Sequence, residues 1–108
     1  MMPIYNKLIR DKIPEIIKET GKNYRVKKLD KVVYQKELVL KLSEEIKEYS
    51  NSTSDEEAVE ELADLLEIIY AIGKLHGVDH AYLESIRLDK AEKRGGFEGR
   101  LYLLDVQE

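Results

Sequence analysis

The 108-residue chain contains no cysteine. Disulfides and thiolate metal sites are therefore excluded, and a reducing compartment is the simplest expectation. No apolar run is long enough to cross a membrane. The opening MMPIYNKLIRDKIPEII lacks the unbroken apolar stretch of a signal peptide. A soluble cytoplasmic protein is the expectation that follows. Internal repeats, low-complexity tracts and long linkers are missing too, so residues 1–108 read as one domain. A chain this short encloses a small core, and pairing with a second copy would help to cover its apolar faces. The most informative absence is local: residues 55–73 hold no Lys, Arg or His.

What is present is charge, unevenly spread around a net of -4. Residues 1–36 carry ten Lys/Arg against four Asp/Glu, and residues 37–80 carry three against twelve. Residues 81–108 are nearly balanced, with five against six. A basic head on an acidic middle fits nucleic-acid binding, separate roles for the two charges, or a mixed solvated surface. The acidic middle argues against nucleic acid, as does the lack of a helix-turn-helix or aromatic RNA-binding pattern.

Apolar spacing predicts a helix near residues 8–20 that starts late, at Lys12 or Ile13, because Pro14 suits only a first turn. Gly21 closes it. Residues 31–50 form a long helix, and NSTS, 51–54, a turn. Ser54-Asp55-Glu56-Glu57 has the form of a capping box and opens a helix that runs to about His76 and stops at Gly77. Asp79 caps a last helix over 80–94, ended by Gly95-Gly96. YRVKKL, 24–29, and RLYLLDV, 100–106, alternate as short strands and form a small β element. The expected fold is all-α, with four helices and the two long ones antiparallel across the short turn.

A helical wheel separates the carboxylates. On the third helix, Ala58, Leu62, Leu65, Leu66, Ile69 and Ile72 form the apolar arc. Glu61 falls inside it and Asp64 at its edge, whereas Glu56, Glu60 and Glu67 point away. On the second helix, Leu38, Leu42, Ile46 and Tyr49 form the arc, with Glu45 inside and Glu48 flanking. Glu44 and Glu37 lie further round. Antiparallel packing would bring Glu45, Glu48, Glu61 and Asp64 into one half-buried groove. The neighbours of Glu61 and Asp64 one turn away are other acids, Glu57, Glu60 and Glu67, so local ion pairs do not relieve them. Three remedies remain open: protonation, basic groups from elsewhere, or metal ions, for which oxygen-only ligands favour Mg²⁺ or Mn²⁺.

Glu44-Glu45-x-x-Glu48 followed by Glu61-x-x-Asp64 resembles the EExxE…ExxD signature of the MazG-like all-α nucleoside triphosphate pyrophosphohydrolase superfamily. The opening Tyr5-Asn6-Lys7-Leu8-Ile9-Arg10-Asp11-Lys12-Ile13-Pro14 and the closing Lys93-Arg94-Gly95-Gly96-Phe97 resemble its phosphoribosyl-ATP pyrophosphohydrolase-like subgroup. The resemblance implies helical protomers that pair as a homodimer or dimer of dimers. It implies Mg²⁺, with Mn²⁺ as a substitute, held by Glu45, Glu48, Glu61 and Asp64 as metal and catalytic residues. It also implies cleavage of a nucleoside triphosphate between the α and β phosphates, to a monophosphate and pyrophosphate. Glu44 matches the first acid of the signature but lies off the groove.

The triphosphate needs cations as well. Lys7, Arg10 and Lys12 in the head are candidates, as are Lys90, Lys93 and Arg94, clustered at the end of the last helix. His76 and His80 have no metal-spaced partner and read as structural or surface residues. Tyr5, Tyr34 or Phe97 could stack on a base. Two rivals to general nucleotide hydrolysis stay open: hydrolysis of phosphoribosyl-ATP in histidine biosynthesis, and a non-catalytic helical dimer that binds a nucleotide or a protein as a regulator.

Overall fold

The computed structural model describes residues 3–107. Among them it forms four helices, α1 (Ile13–Glu19), α2 (Lys31–Ser50), α3 (Asp55–Leu75) and α4 (His80–Arg94), and no strand. Three of these helices begin on a side-chain cap. Asp30, Ser54 and Asp79 sit in extended backbone before α2, α3 and α4. Their side chains accept from the backbone N–H of Val33 at 2.9 Å, Glu57 at 3.1 Å and Tyr82 at 2.8 Å. Each cap is worth about 1 kcal/mol. Glu57 completes the motif differently from a standard capping box: its carboxylate reaches past Ser54 to accept from the backbone N–H of Thr53 at 3.0 Å. That bond ties the turn to the first turn of α3. The first helix begins at Ile13, with Pro14 in its first turn, where the missing N–H is no loss.

The end of α3 is fixed by Gly77. Its φ of 80° lies in the left-handed region. The N–H of Gly77 donates to Lys74 and that of Val78 to Gly73, both at 3.0 Å, which closes the helix in a Schellman turn. The chain then reverses into α4. The rings of Tyr70 and His80 meet at 4.2 Å, tilted by 40°, so His80 packs as a structural residue.

The α2–α3 hairpin is the only extensive helix pairing among the described residues. Leu38 and Glu45 on α2 face Ile68 on α3 as the buried side chains of the seam. Tyr34 and Leu42 of α2 and Glu61, Leu65 and Ile72 of α3 are half-buried beside them. This seam is rotated from the arcs expected on the wheel. Leu62, Leu66 and Ile69 are exposed, and so are Ile46 and Tyr49. The reason is that α3 carries two apolar stripes. One meets α2; the other, Val59, Leu62, Leu66 and Ile69, recurs at intervals of three and four and stays largely open to solvent. A wheel averages the two into one arc.

The expected β element does not form. Residues 24–29 and 100–106 are irregular. Leu101 is 95% exposed, and Tyr102, Leu103, Leu104 and Val106 are also largely solvated. Strand propensity reflects packing on a pleated, half-buried surface more than a backbone preference. Here neither segment has a sheet or helix to lie on. Helix α1 packs on no other helix, and α4 meets α3 only lightly.

The open arrangement leaves a large surface. The accessible area is 10463 Å² for 12.6 kDa, where a folded monomer of that mass exposes about 6,200 Å². The radius of gyration is 18.5 Å, against about 13 Å for a compact chain of this length. No described helix is long and apolar enough to cross a membrane. Because Gly77 alone supplies the left-handed residue of the Schellman turn, Gly77→Ala lowers stability by about 1 kcal/mol, read as a lower urea midpoint at unchanged slope.

Candidate metal centre

The four-residue turn sets Glu45, near the end of α2, opposite Glu61, near the start of α3. Asp64 follows Glu61 on the same face, one turn on. One carboxylate oxygen from each of Glu45, Glu61 and Asp64 lies within 4.8 Å of the other two. Glu45 is only 9% exposed, and among the described residues Leu38 and Ile68 are the only buried apolar side chains. Oε2 of Glu45 and Oε2 of Glu61 are closed off from solvent and have no hydrogen-bond partner. Glu48 stands exposed at the rim, close enough for its charge to act on Glu45. Three of the four expected acids are thus assembled, and the fourth borders them. Glu44 faces outward and approaches Lys41 at 3.9 Å, as the wheel predicts.

The electrostatic strain concentrates on Glu45. Burial is the main cause, followed by the adjoining Glu61 carboxyl and then the charges of Glu48 and Asp64. Together they push its pKa from 4.5 to about 8. Two ionised carboxylates cannot hydrogen-bond to each other, because neither donates. Glu45 therefore keeps a proton, or a cation takes the proton's place. Like charges at this separation repel by about 3 to 4 kcal/mol at an effective dielectric of 20. A solvent-exposed ion pair returns under 1 kcal/mol, so one basic side chain does not settle the account.

One basic side chain does reach the cluster. Arg10 Nη2 donates to Asp64 Oδ1 at 2.6 Å. This pairing was not expected for Arg10, which the sequence offers only as a phosphate ligand. The signal for it was the surplus of basic residues in the head against the acids of α3. The other candidate cations stand apart. Lys7 lies over the Tyr5 ring, 5.7 Å from its centre. Lys12 precedes α1 and is exposed. Lys93 pairs with Asp89 at 3.1 Å, within α4. Among the described residues Lys90 and Arg94 make no ion pair, and the light contact of α4 with α3 does not bring them onto the acids. Phe97 is fully solvated, and Tyr5 is exposed.

The donor set suits a hard divalent cation: it offers oxygen ligands only, and one oxygen each of Glu45 and Glu61 is buried and lacks a partner. An open hollow elsewhere, at the α2–α3 turn between Tyr49, Thr53 and Ala58, contains none of these acids and no comparable chemistry. In comparisons with known proteins, no family model, curated protein or solved structure matches the chain.

The raised pKa of Glu45 fixes the sign of a pH effect. Between about 4.5 and about 8 the folded state keeps a proton that the unfolded state has lost. Without metal, stability therefore falls as pH rises through that window, by a few kcal/mol in order of magnitude. Thermal melts in chelator at pH 5.5, 7.0 and 8.5 will show a falling midpoint. Glu45→Gln, neutral throughout, will flatten that trend, and so will millimolar Mn²⁺ added to the wild type.

Proposed function

We propose that the protein is a Mg²⁺-dependent nucleoside triphosphate pyrophosphohydrolase, with Mn²⁺ able to substitute. The observation that carries this reading is the Glu45, Glu61 and Asp64 cluster, with its two buried and unpartnered oxygens. The likeness of Glu44-Glu45-x-x-Glu48…Glu61-x-x-Asp64 to the MazG-like signature supports it. Glu45, Glu61 and Asp64 would hold the ion, with Glu48 at the rim. When bound, such an ion neutralises phosphate oxygens and makes a nearby water more acidic.

The chain's own part is to hold the reactants and to move the proton. Water attacks the α-phosphorus, the bond from that phosphorus to the α–β bridging oxygen breaks, and pyrophosphate leaves. The proton from the water passes to a carboxylate, and Glu48, solvated beside Glu45, is suited to take it. Lys7, Lys12, Lys90 and Arg94 are exposed cations available to the triphosphate. Substrate identity rests on groups outside the acidic cluster, and phosphoribosyl-ATP is one member of the class.

The same reading takes the working unit to be a pair of chains. The accessible area of 10463 Å² exceeds that of a compact monomer by about 4,000 Å², and obligate homodimers bury 2,000 Å² or more. The exposed stripe of Val59, Leu62, Leu66 and Ile69 has the spacing of a helix-packing seam.

Pyrophosphate release from a panel of NTPs, dNTPs and phosphoribosyl-ATP tests the activity. Release will require Mg²⁺ or Mn²⁺, and Glu61→Gln will lower it by at least about 100-fold, beyond the 10- to 100-fold typical of groups that only orient a ligand. Mn²⁺ binding without turnover of any substrate would favour a non-catalytic regulator. For the pairing, light scattering will give about twice the 12.6 kDa chain mass, and Leu66→Lys will return it to one chain.

A further inference from the structure

The contact of Arg10 with Asp64 stands alone in this fold. Every other side-chain hydrogen bond between described residues joins positions three or four apart in sequence, within one helix or turn. Arg10–Asp64 spans 54 positions. Among the described residues α1 packs on no other helix, and this is the one side-chain hydrogen bond between the N-terminal segment and the α2–α3 hairpin. It ends on Oδ1 of a residue that also belongs to the acidic cluster, beside the buried and unpartnered oxygens of Glu45 and Glu61.

We infer that Arg10 is a built-in counter-ion of the metal-free site: it holds the Asp64 carboxylate until a divalent cation displaces it, and the freed guanidinium then takes substrate phosphate. The inference rests on the metal reading of the cluster and adds a regulatory contact to it. The chemistry allows the exchange in one direction. Both partners are partly solvated, with side-chain exposures of 57% and 39%, so the pair is weak and breaks readily. A divalent ion brings twice the charge and engages three carboxylates instead of one. Guanidinium grips phosphate oxygens as well as carboxylate, in the same planar fork, so Arg10 has an equivalent partner once substrate arrives. Coupling follows: cation binding costs the Arg10–Asp64 bond, and nucleotide returns it in another form.

Mn²⁺ titration by calorimetry, without nucleotide, measures the competition directly. Arg10→Ala will bind Mn²⁺ about two- to fivefold tighter than wild type, the range set by an exposed ion pair. Lys18→Ala removes the same charge from the same segment and will leave the affinity within about 1.5-fold of wild type, since its lost term is screened and unspecific. Arg10→Lys, which keeps the charge, will fall between wild type and Arg10→Ala.

A second readout follows the displacement itself. Trypsin must draw the Arg10 side chain into its own pocket, so cleavage after Arg10, scored against cleavage after Arg25 in the same chain, will speed up when Mn²⁺ is added. Equal Mn²⁺ affinity in wild type and Arg10→Ala, or an equal gain in Lys18→Ala, would overturn the inference while leaving the metal site intact. Mn²⁺ binding that is absent, or unchanged by Glu45→Gln, would overturn the metal reading and the inference with it. A chain folded by circular dichroism in every variant is the control for both.

Discussion

A carboxylate buried in a helix seam is the constraint on which the rest of this structure depends. Glu45 takes a position in α2 that a leucine would fill in an ordinary hairpin, and it faces Glu61 across the seam. Fully burying a Leu or Ile side chain contributes about 1.5 to 3 kcal/mol. Among the described residues no side chain is fully buried, and Leu38 and Ile68, 4% and 8% exposed, are the apolar ones that come nearest. Repulsion within the acidic cluster is of the same order as one such burial, so it offsets about what one of them contributes. Replacing such a cluster with apolar residues would usually stabilise a fold. Keeping it makes sense where something outside the hairpin offsets the charge.

Two outside contributions are visible in the residues, and they act on different faces. The acids of the inner seam call for a proton or a cation. The outer stripe of α3 calls for another apolar surface. The first demand is ionic and local, and it changes with pH and metal concentration. The second is non-directional and scales with area. Neither can stand in for the other, since a cation does nothing for Leu66 and a second copy does not by itself neutralise Glu45. A protein that meets both gains stability from two equilibria at once, each shifted by mass action.

Much of the architecture is legible in the sequence because it is written in local signals. Asp30, Ser54, Asp79, Gly21 and Gly77 start or stop helices through bonds to residues a few positions away, and those positions are where the helices begin and end. The grouping of Glu45, Glu61 and Asp64 is legible too, since spacing on two helices and one short turn fix it. What spacing does not carry is the choice between two apolar stripes on one helix. That choice depends on which partner is present, and for Leu62, Leu66 and Ile69 the wheel chose the wrong one. Residues 24–29 and 100–106 fail for a related reason. Alternation states which side of a strand would be apolar but supplies no neighbouring strand. Arg10 was read by charge type alone, which fits a phosphate and a carboxylate equally well.

Access to the cluster follows from the burial of its members. Glu45 is closed in by the seam, and Glu61 hides one oxygen. Asp64 and Glu48 are the acids that solvent reaches, and Arg10 sits on Asp64. An ion therefore arrives at the rim before it meets Glu45. A polyanion coming this way would be repelled by the acids alone but meets a guanidinium at the same edge. A cation meets the reverse order, with Arg10 opposing its entry and four carboxylates favouring it. On the proposed reading the acids would admit the metal first, and the phosphate would follow once the metal had lowered the negative charge behind the basic head. Such an order of binding needs no moving lid. It needs one weak bond, at a solvated edge, between residues far apart in the chain.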